Sequence, residues 1–164
     1  MKSESELLRA LANYCSQTER CVSDVRKKIQ AENLDRSENL SREAEHRLID
    51  TLLKEKFIDE NRFARSFVHD KFQFNHWGRI KIGYELRIRG ISPDIYHEAL
   101  ETVIDEDEYL AVLSELLLSK KRMVKGRTPQ ETYQKLCRFA VTRGFESSLI
   151  INILKKMFII IDDD

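Results

Sequence analysis

Apolar residues recur at helical spacing along most of the chain, and the breaks between them predict where each helix starts and stops. Leu7, Leu8, Leu11, Tyr14 and Cys15 share one face, with Ser3 and Glu6 ahead of them in the form of a capping box. A first helix is therefore expected over about 5–17. Ser23 is placed to cap a second, carrying Val25 and Ile29 to about residue 32, after which the polar stretch 33–41 reads as a loop. Ala44, Leu48, Leu52 and Leu53 mark a third helix over about 42–56. Asp59 is a good N-cap for a fourth, whose buried stripe is Phe63, Ala64, Phe67, Val68 and Phe72. Ser92-Pro93 puts a cap and a first-turn proline ahead of Ile95, Ala99, Leu100 and Val103. The acidic residues 105–108 suit the positive end of a helix dipole in front of Tyr109, Leu110, Leu113, Leu116 and Leu117. Thr128-Pro129 repeats the cap-and-proline signature, Glu131 completes a capping box, and Gly144 is placed to end that helix. A last helix from about 146 carries Leu149, Ile150, Ile153, Leu154 and Met157, with the tail beyond it expected to fray.

One segment resists this pattern. From Arg79 to Arg89 apolar Ile80, Ile82, Tyr84, Leu86 and Ile88 alternate with polar residues and glycine, the period of a half-exposed strand. An internal repeat decides against the strand. Sliding the chain on itself by 54 residues sets 86–91, Leu-Arg-Ile-Arg-Gly-Ile, over 140–145, Ala-Val-Thr-Arg-Gly-Phe, and then Ile95, Ala99 and Leu100 over Leu149, Ile153 and Leu154. Ile82 and Leu86 then fall on Leu136 and Ala140, and on Val25 and Ile29, which are helical. Read as a helix, the segment carries a second apolar row, Ile80, Tyr84 and Ile88, on a different face. One row packs its own unit and the other needs a neighbour; for Tyr84 the expected neighbour is the adjoining unit, with an external partner as the alternative. The expected fold is all-α, an elongated array of three tandem three-helix repeats over 1–58, 59–104 and 105–164, about nine helices in all.

Composition narrows the class. Only 5 Gly and 2 Pro leave little turn chemistry for many short strands, and 41% hydrophobic content is enough for a core. Cys15, Cys21 and Cys137 are odd in number and lack C-x-x-C spacing, so neither a disulfide scaffold nor a zinc site is indicated, and a reducing cytoplasm is expected. The N-terminus has no signal-type apolar run, and nothing approaches the roughly 20 apolar residues of a membrane span. No glycine-rich phosphate loop, nucleophile elbow or metal-ligand spacing is present, so neither catalysis nor a cofactor is expected.

Charge is unevenly placed. The chain has 28 basic and 28 acidic side chains, yet residues 62–90 contain 7 basic against 2 acidic, a net +5. The flanking stretches are acidic.

The residues gathered so far resemble the RecX family of regulators of the bacterial RecA recombinase. The resemblance is carried by 57–68, FIDENRFARSFV, then Gly78-Arg79-Ile80 with Lys81-Ile82, Glu85-Leu86 and Arg89-Gly90-Ile91-Ser92, and in the third unit by Lys135 with Arg143-Gly144-Phe145. Ile58 stands where the family more often has leucine. The resemblance implies a curved array of three-helix units lying in the groove of the RecA filament on DNA, inhibiting the recombinase by limiting filament growth or promoting disassembly, in recombination, DNA repair and the SOS response. It implies a partner in RecA and in DNA met through the filament, no membrane, and a chain acting as a monomer.

Two basic groups are candidates for that contact. Arg79, Lys81, Arg87 and Arg89 are concentrated in an otherwise neutral protein, which favours a partner over a merely solvated face. Lys120, Lys121, Arg122, Lys125 and Arg127 form the second, although a helix C-terminus attracts basic residues without any partner. Phe72, Phe74 and Trp77, interleaved with Lys71, His69 and His76, can stack on bases of single-stranded DNA. In the packing alternative Phe72 is core, Phe74 closes a helix end and Trp77 sits at the joint between helices. A rival function is a stand-alone helix-turn-helix-like DNA-binding protein, against which stand Asp94, Glu98 and Glu101 on the natural recognition helix.

Overall fold

The computed structural model describes residues 3–34, 40–124 and 126–162. Among these residues there are nine α-helices and no strand: α1 Glu4–Gln17, α2 Val22–Leu34, α3 Arg42–Lys54, α4 Glu60–Gln73, α5 Arg79–Ile88, α6 Pro93–Val103, α7 Glu106–Met123, α8 Pro129–Thr142 and α9 Ser147–Asp162. The strand-like segment is α5. Its register is set by Ile82 and Leu86, both fully buried four residues apart, a spacing that shares a face on a helix. None of the described helices is long and apolar enough to cross a membrane.

The predicted caps hold in most places. Ser3 Oγ accepts the Glu6 N–H at 3.2 Å while Ser3 N–H donates to the Glu6 carboxylate at 2.9 Å. Asp59 and Asp105 accept the N–H groups of Arg62 and Glu108 at 3.1 and 3.0 Å. Ser23, by contrast, is not a cap. Helix α2 starts one residue before it, because the Asp24 carboxylate reaches back to the Cys21 N–H at 3.1 Å and fixes the start there. Thr128 caps α8 through the Glu131 N–H at 3.1 Å, but Glu131 takes the Arg127 N–H, not that of Thr128, so the expected reciprocal box is displaced by one residue. Helix α3 stops at Lys54, and α9 runs on to Asp162 where fraying was expected, since no Gly or Pro interrupts 147–162. The predicted loop at 33–41 falls partly outside the described residues.

Three helices end in the same way. Past α3, α5 and α8 the chain turns through a left-handed residue, Lys56 (φ 58), Gly90 (φ 80) and Gly144 (φ 95). The next amide bonds back five residues: Phe57 to the Leu52 carbonyl at 2.9 Å, Ile91 to Leu86 at 3.1 Å and Phe145 to Ala140 at 3.2 Å. These are Schellman closures, which satisfy carbonyls that a helix end leaves without partners.

The chain divides into two compact units, Met1–Ser66 with Leu86–Tyr96, and Phe67–Glu85 with His97–Asp164, so that α4, α5 and α6 contribute residues to both. In the first unit α1, α2 and α3 pack on one another around Leu7, Leu11, Val25, Ile29, Leu48, Leu52 and Ile58. In the second, α7, α8 and α9 pack around Leu113, Leu117, Leu136, Ile150 and Leu154. An aromatic cluster lies beside that core, with the Tyr109 ring 5.8 Å from Phe72 and 5.1 Å from Phe145.

Candidate functional site

The site begins with a problem that every helix has, N–H groups in the first turn with no partner inside the helix. At α5 the end of α8 supplies the partners. Gly78 N–H donates to the Arg143 carbonyl at 2.8 Å and Ile80 N–H to the Gly144 carbonyl at 3.0 Å. Those carbonyls can reach α5 because the backbone touches directly at both glycines. A Cβ on Gly78 would strike the carbonyl group of Gly144, and a Cβ on Gly144 would strike Lys81. The motifs Gly78-Arg79-Ile80 and Arg143-Gly144-Phe145, apart in sequence, are one joint.

Between them, Arg79 N–H donates to the Tyr109 hydroxyl at 3.1 Å, and that hydroxyl donates to the Glu146 carboxylate. The Arg79 guanidinium closes the ring: it bonds Glu146 at 2.8 Å, bonds Glu106, and lies 3.9 Å from the centre of the Tyr109 ring. Burial works against the Arg79 charge, but the hydrogen bonds and charges of Glu106 and Glu146 outweigh it and raise its pKa. Tyr109 is fully buried, and burial first, then the Glu146 carboxylate, lifts its hydroxyl well above the usual phenol range.

The other basic candidates sit differently. Lys81 is half-buried with its ammonium 4.3 Å from the Trp77 ring, and Lys71 approaches the same ring at 4.9 Å. Arg87 is exposed and Arg89 half-buried. At the end of α7, Lys120 and Lys121 lie 5.0 and 4.9 Å from the rings of Phe139 and Phe158, distances at which a cation is attracted by the ring face. Arg122 is exposed and lines an open groove of about 430 Å³ with His76, Glu115, Leu116 and Leu118. Arg127 is exposed, and Lys125 lies outside the described residues. Phe72 is core and Trp77 half-buried, as the packing alternative had them. Phe74 is 74% exposed, its ring set edge-on to His69 at 6.2 Å.

The second apolar row of α5 departs from expectation. Ile80, Tyr84 and Ile88 are 58, 59 and 61% exposed, so the adjoining-unit packing expected for Tyr84 is absent. The inner face of α5 is already filled by Ile82 and Leu86, and a row displaced around the helix points away from it. Lys81 and Arg87 are its neighbours in sequence.

Sequence reasoning missed the roles of Tyr109, Glu106 and Glu146, which it read as a core position, a dipole partner and a helix start. A signal for one of them was present. Tyr109 is the one polar member of a leucine row, and a buried tyrosine usually finds a partner for its hydroxyl.

Comparison with known proteins gives the family and the fold. A family model described as RecX, second three-helix domain, matches residues 59–100. The regulatory protein RecX of Clostridium botulinum (strain Alaska E43 / Type E3) is 30% identical over 163 residues, covering 93% of this chain and 75% of that protein. A second, from Clostridium botulinum (strain Eklund 17B / Type B), is 32% identical over 111 residues, covering 66% of this chain and 50% of its own length. The chain thus spans half of one relative and three quarters of the other. The crystal structure of RecX from Lactobacillus salivarius superposes with a TM-score of 0.80 at 19% identity, over 95% of this chain and 97% of that one, a match of fold.

Proposed function

The chain belongs to the RecX family of regulatory proteins, and from that premise we propose that it binds RecA filaments on DNA and inhibits the recombinase, docking through the outer face of α5. The observation that carries this reading is that row of Ile80, Tyr84 and Ile88, each more than half exposed on one continuous helix. Large apolar side chains grouped on a surface mark interaction sites, and an aromatic among them is typical of the centre of an interface. Lys81 and Arg87 beside the row, with Arg89, give the face its charge and steer it towards an acidic partner surface or DNA phosphates. Three three-helix repeats, 1–58, 59–104 and 105–164, extend the contact, with Lys120, Lys121, Arg122, Lys125 and Arg127 as its second basic region. Phe74, exposed at the end of α4, is a further aromatic contact on the same reading. Regulation is then by binding, in the cytoplasm, with no chemical step.

The rival reading, direct recognition of DNA by α6, meets an acidic surface. Asp94, Glu98 and Glu101 are all exposed on that helix, where phosphates would repel them.

The test is co-sedimentation with RecA filaments together with RecA's DNA-dependent ATPase. Tyr84→Glu is expected to weaken filament binding by at least about tenfold, a typical loss for a buried aromatic anchor, while the melting temperature stays where it was. Undiminished inhibition removes α5 from the contact. Tight binding to bare DNA without RecA favours the rival.

A further inference from the structure

We infer that Tyr109 and Glu146 are positioning residues for the α5 docking face, acting through a closed ring of bonds at the start of that helix. This deepens the reading above and rests on it. The geometry is specific to position. Tyr109 hydroxyl accepts the Arg79 amide at 3.1 Å and donates to Glu146, and Glu146 in turn holds the Arg79 guanidinium at 2.8 Å. Glu106 takes the other arm of the same guanidinium. The first turn of α5 is thereby bonded to α7 through Glu106 and Tyr109, to the residue before α9 through Glu146, and to the end of α8 through the carbonyls of Arg143 and Gly144.

Those bonds do something that packing does not. The Tyr109 ring is fully buried between Phe72 and Phe145, and a phenylalanine would fill that place equally well. Apolar contact is non-directional. It holds α5 against the core yet tolerates a small turn of the helix about its axis. A hydrogen bond to the Arg79 amide does not tolerate it, since strength falls steeply as the donor angle closes. Ile80 is the next residue and Tyr84 stands one turn on, so the rotation fixed at Arg79 is the rotation at which both side chains are presented. Arg79 acts here as a strut for the face and not as part of it.

Tyr109→Phe tests this with the full chain, because it removes only the hydroxyl. Hydrogen exchange in the free protein is expected to quicken about tenfold at the Arg79 and Ile80 amides, with the Leu113 and Leu136 amides unchanged. Filament co-sedimentation is expected to weaken by about the same factor. Glu146→Gln leaves one acceptor oxygen where the carboxylate gives one to Tyr109 and the other to Arg79, so it should weaken binding in part and Glu146→Ala should weaken it further. Unchanged exchange at Arg79 and Ile80 overturns the proposal by itself, whether or not RecA is the partner. Uniformly faster exchange that includes Leu113 makes Tyr109 a general stabiliser and also overturns it, as does faster local exchange with undiminished affinity. A wild-type chain that fails to sediment with filaments sinks the reading of function, and the exchange result then still reports separately on the joint.

Discussion

Arg79, Lys81, Arg87 and Arg89 are alike in sequence, basic residues at odd positions, three on α5 and one just past its end, and the structure separates them by what each touches. Arg79 stands between two carboxylates over a tyrosine ring; Arg87 is exposed. Reversing each charge is therefore expected to give opposite kinds of result. Arg79→Glu places a third carboxylate beside Glu106 and Glu146 and should lower stability by about 2 kcal/mol or more, whereas Arg87→Glu should stay within about 0.5 kcal/mol. Urea unfolding measures both, with an unchanged m-value confirming that the denatured state is the same. The ion pair itself adds no pH dependence from Arg79 near neutrality. Its pKa is raised on folding, so its contribution is complete below the ordinary arginine range and is lost only as pH rises through the folded value. A fourfold reversal of the basic group would confuse a broken joint with a lost contact, and the informative variant leaves Arg79 in place.

Among the elements, the helix ends were the most legible part of the chain. Ser3, Asp59, Thr128 with Pro129, and Gly144 all mark boundaries by local chemistry, and the structure closes α8 as Gly144 suggests and α5 in the same way at Gly90. The two closing glycines are not equivalent. Gly90 has nothing within 4 Å of where a Cβ would stand, while a Cβ on Gly144 meets the Lys81 backbone. Gly90→Ala is expected to cost about 1 kcal/mol, the left-handed backbone penalty alone. Gly144→Ala should cost at least about 1 kcal/mol more because the α5–α8 contact must open. Thermal unfolding of the two variants side by side checks the difference, and equal losses would mean that the joint yields easily. The alternation at 79–89 was the misleading element. Two helical rows, Ile82 with Leu86 and Ile80 with Tyr84 and Ile88, interleave to a period of two, and only register with the other repeats told them apart.

At the scale of the whole molecule, a net charge of zero hides the basic middle, and three cysteines occupy three environments. Burial raises all three thiols, Cys21 to about 11, and access separates them: Cys21 is fully buried, Cys15 buried and Cys137 only half-buried. A raised thiol pKa means less of the reactive thiolate at a given pH. At pH 8 a thiol reagent should therefore modify Cys137 first and Cys21 at the rate of opening of its unit, an order that a mass-spectrometric time course reads directly. What the sequence by itself determined was the helical class, most of the caps, the residues that would be core and the family, because apolar period and capping chemistry are local. It also showed that α5 has a second apolar row. Only the tertiary structure decided that this row is left uncovered, that Gly78 and Gly144 touch, and that Arg79 belongs to a joint with Tyr109, Glu106 and Glu146. The reason is physical: periodicity fixes the direction in which a side chain leaves its helix, but the atoms it meets come from residues 27 to 67 positions away, and no local spacing encodes that meeting.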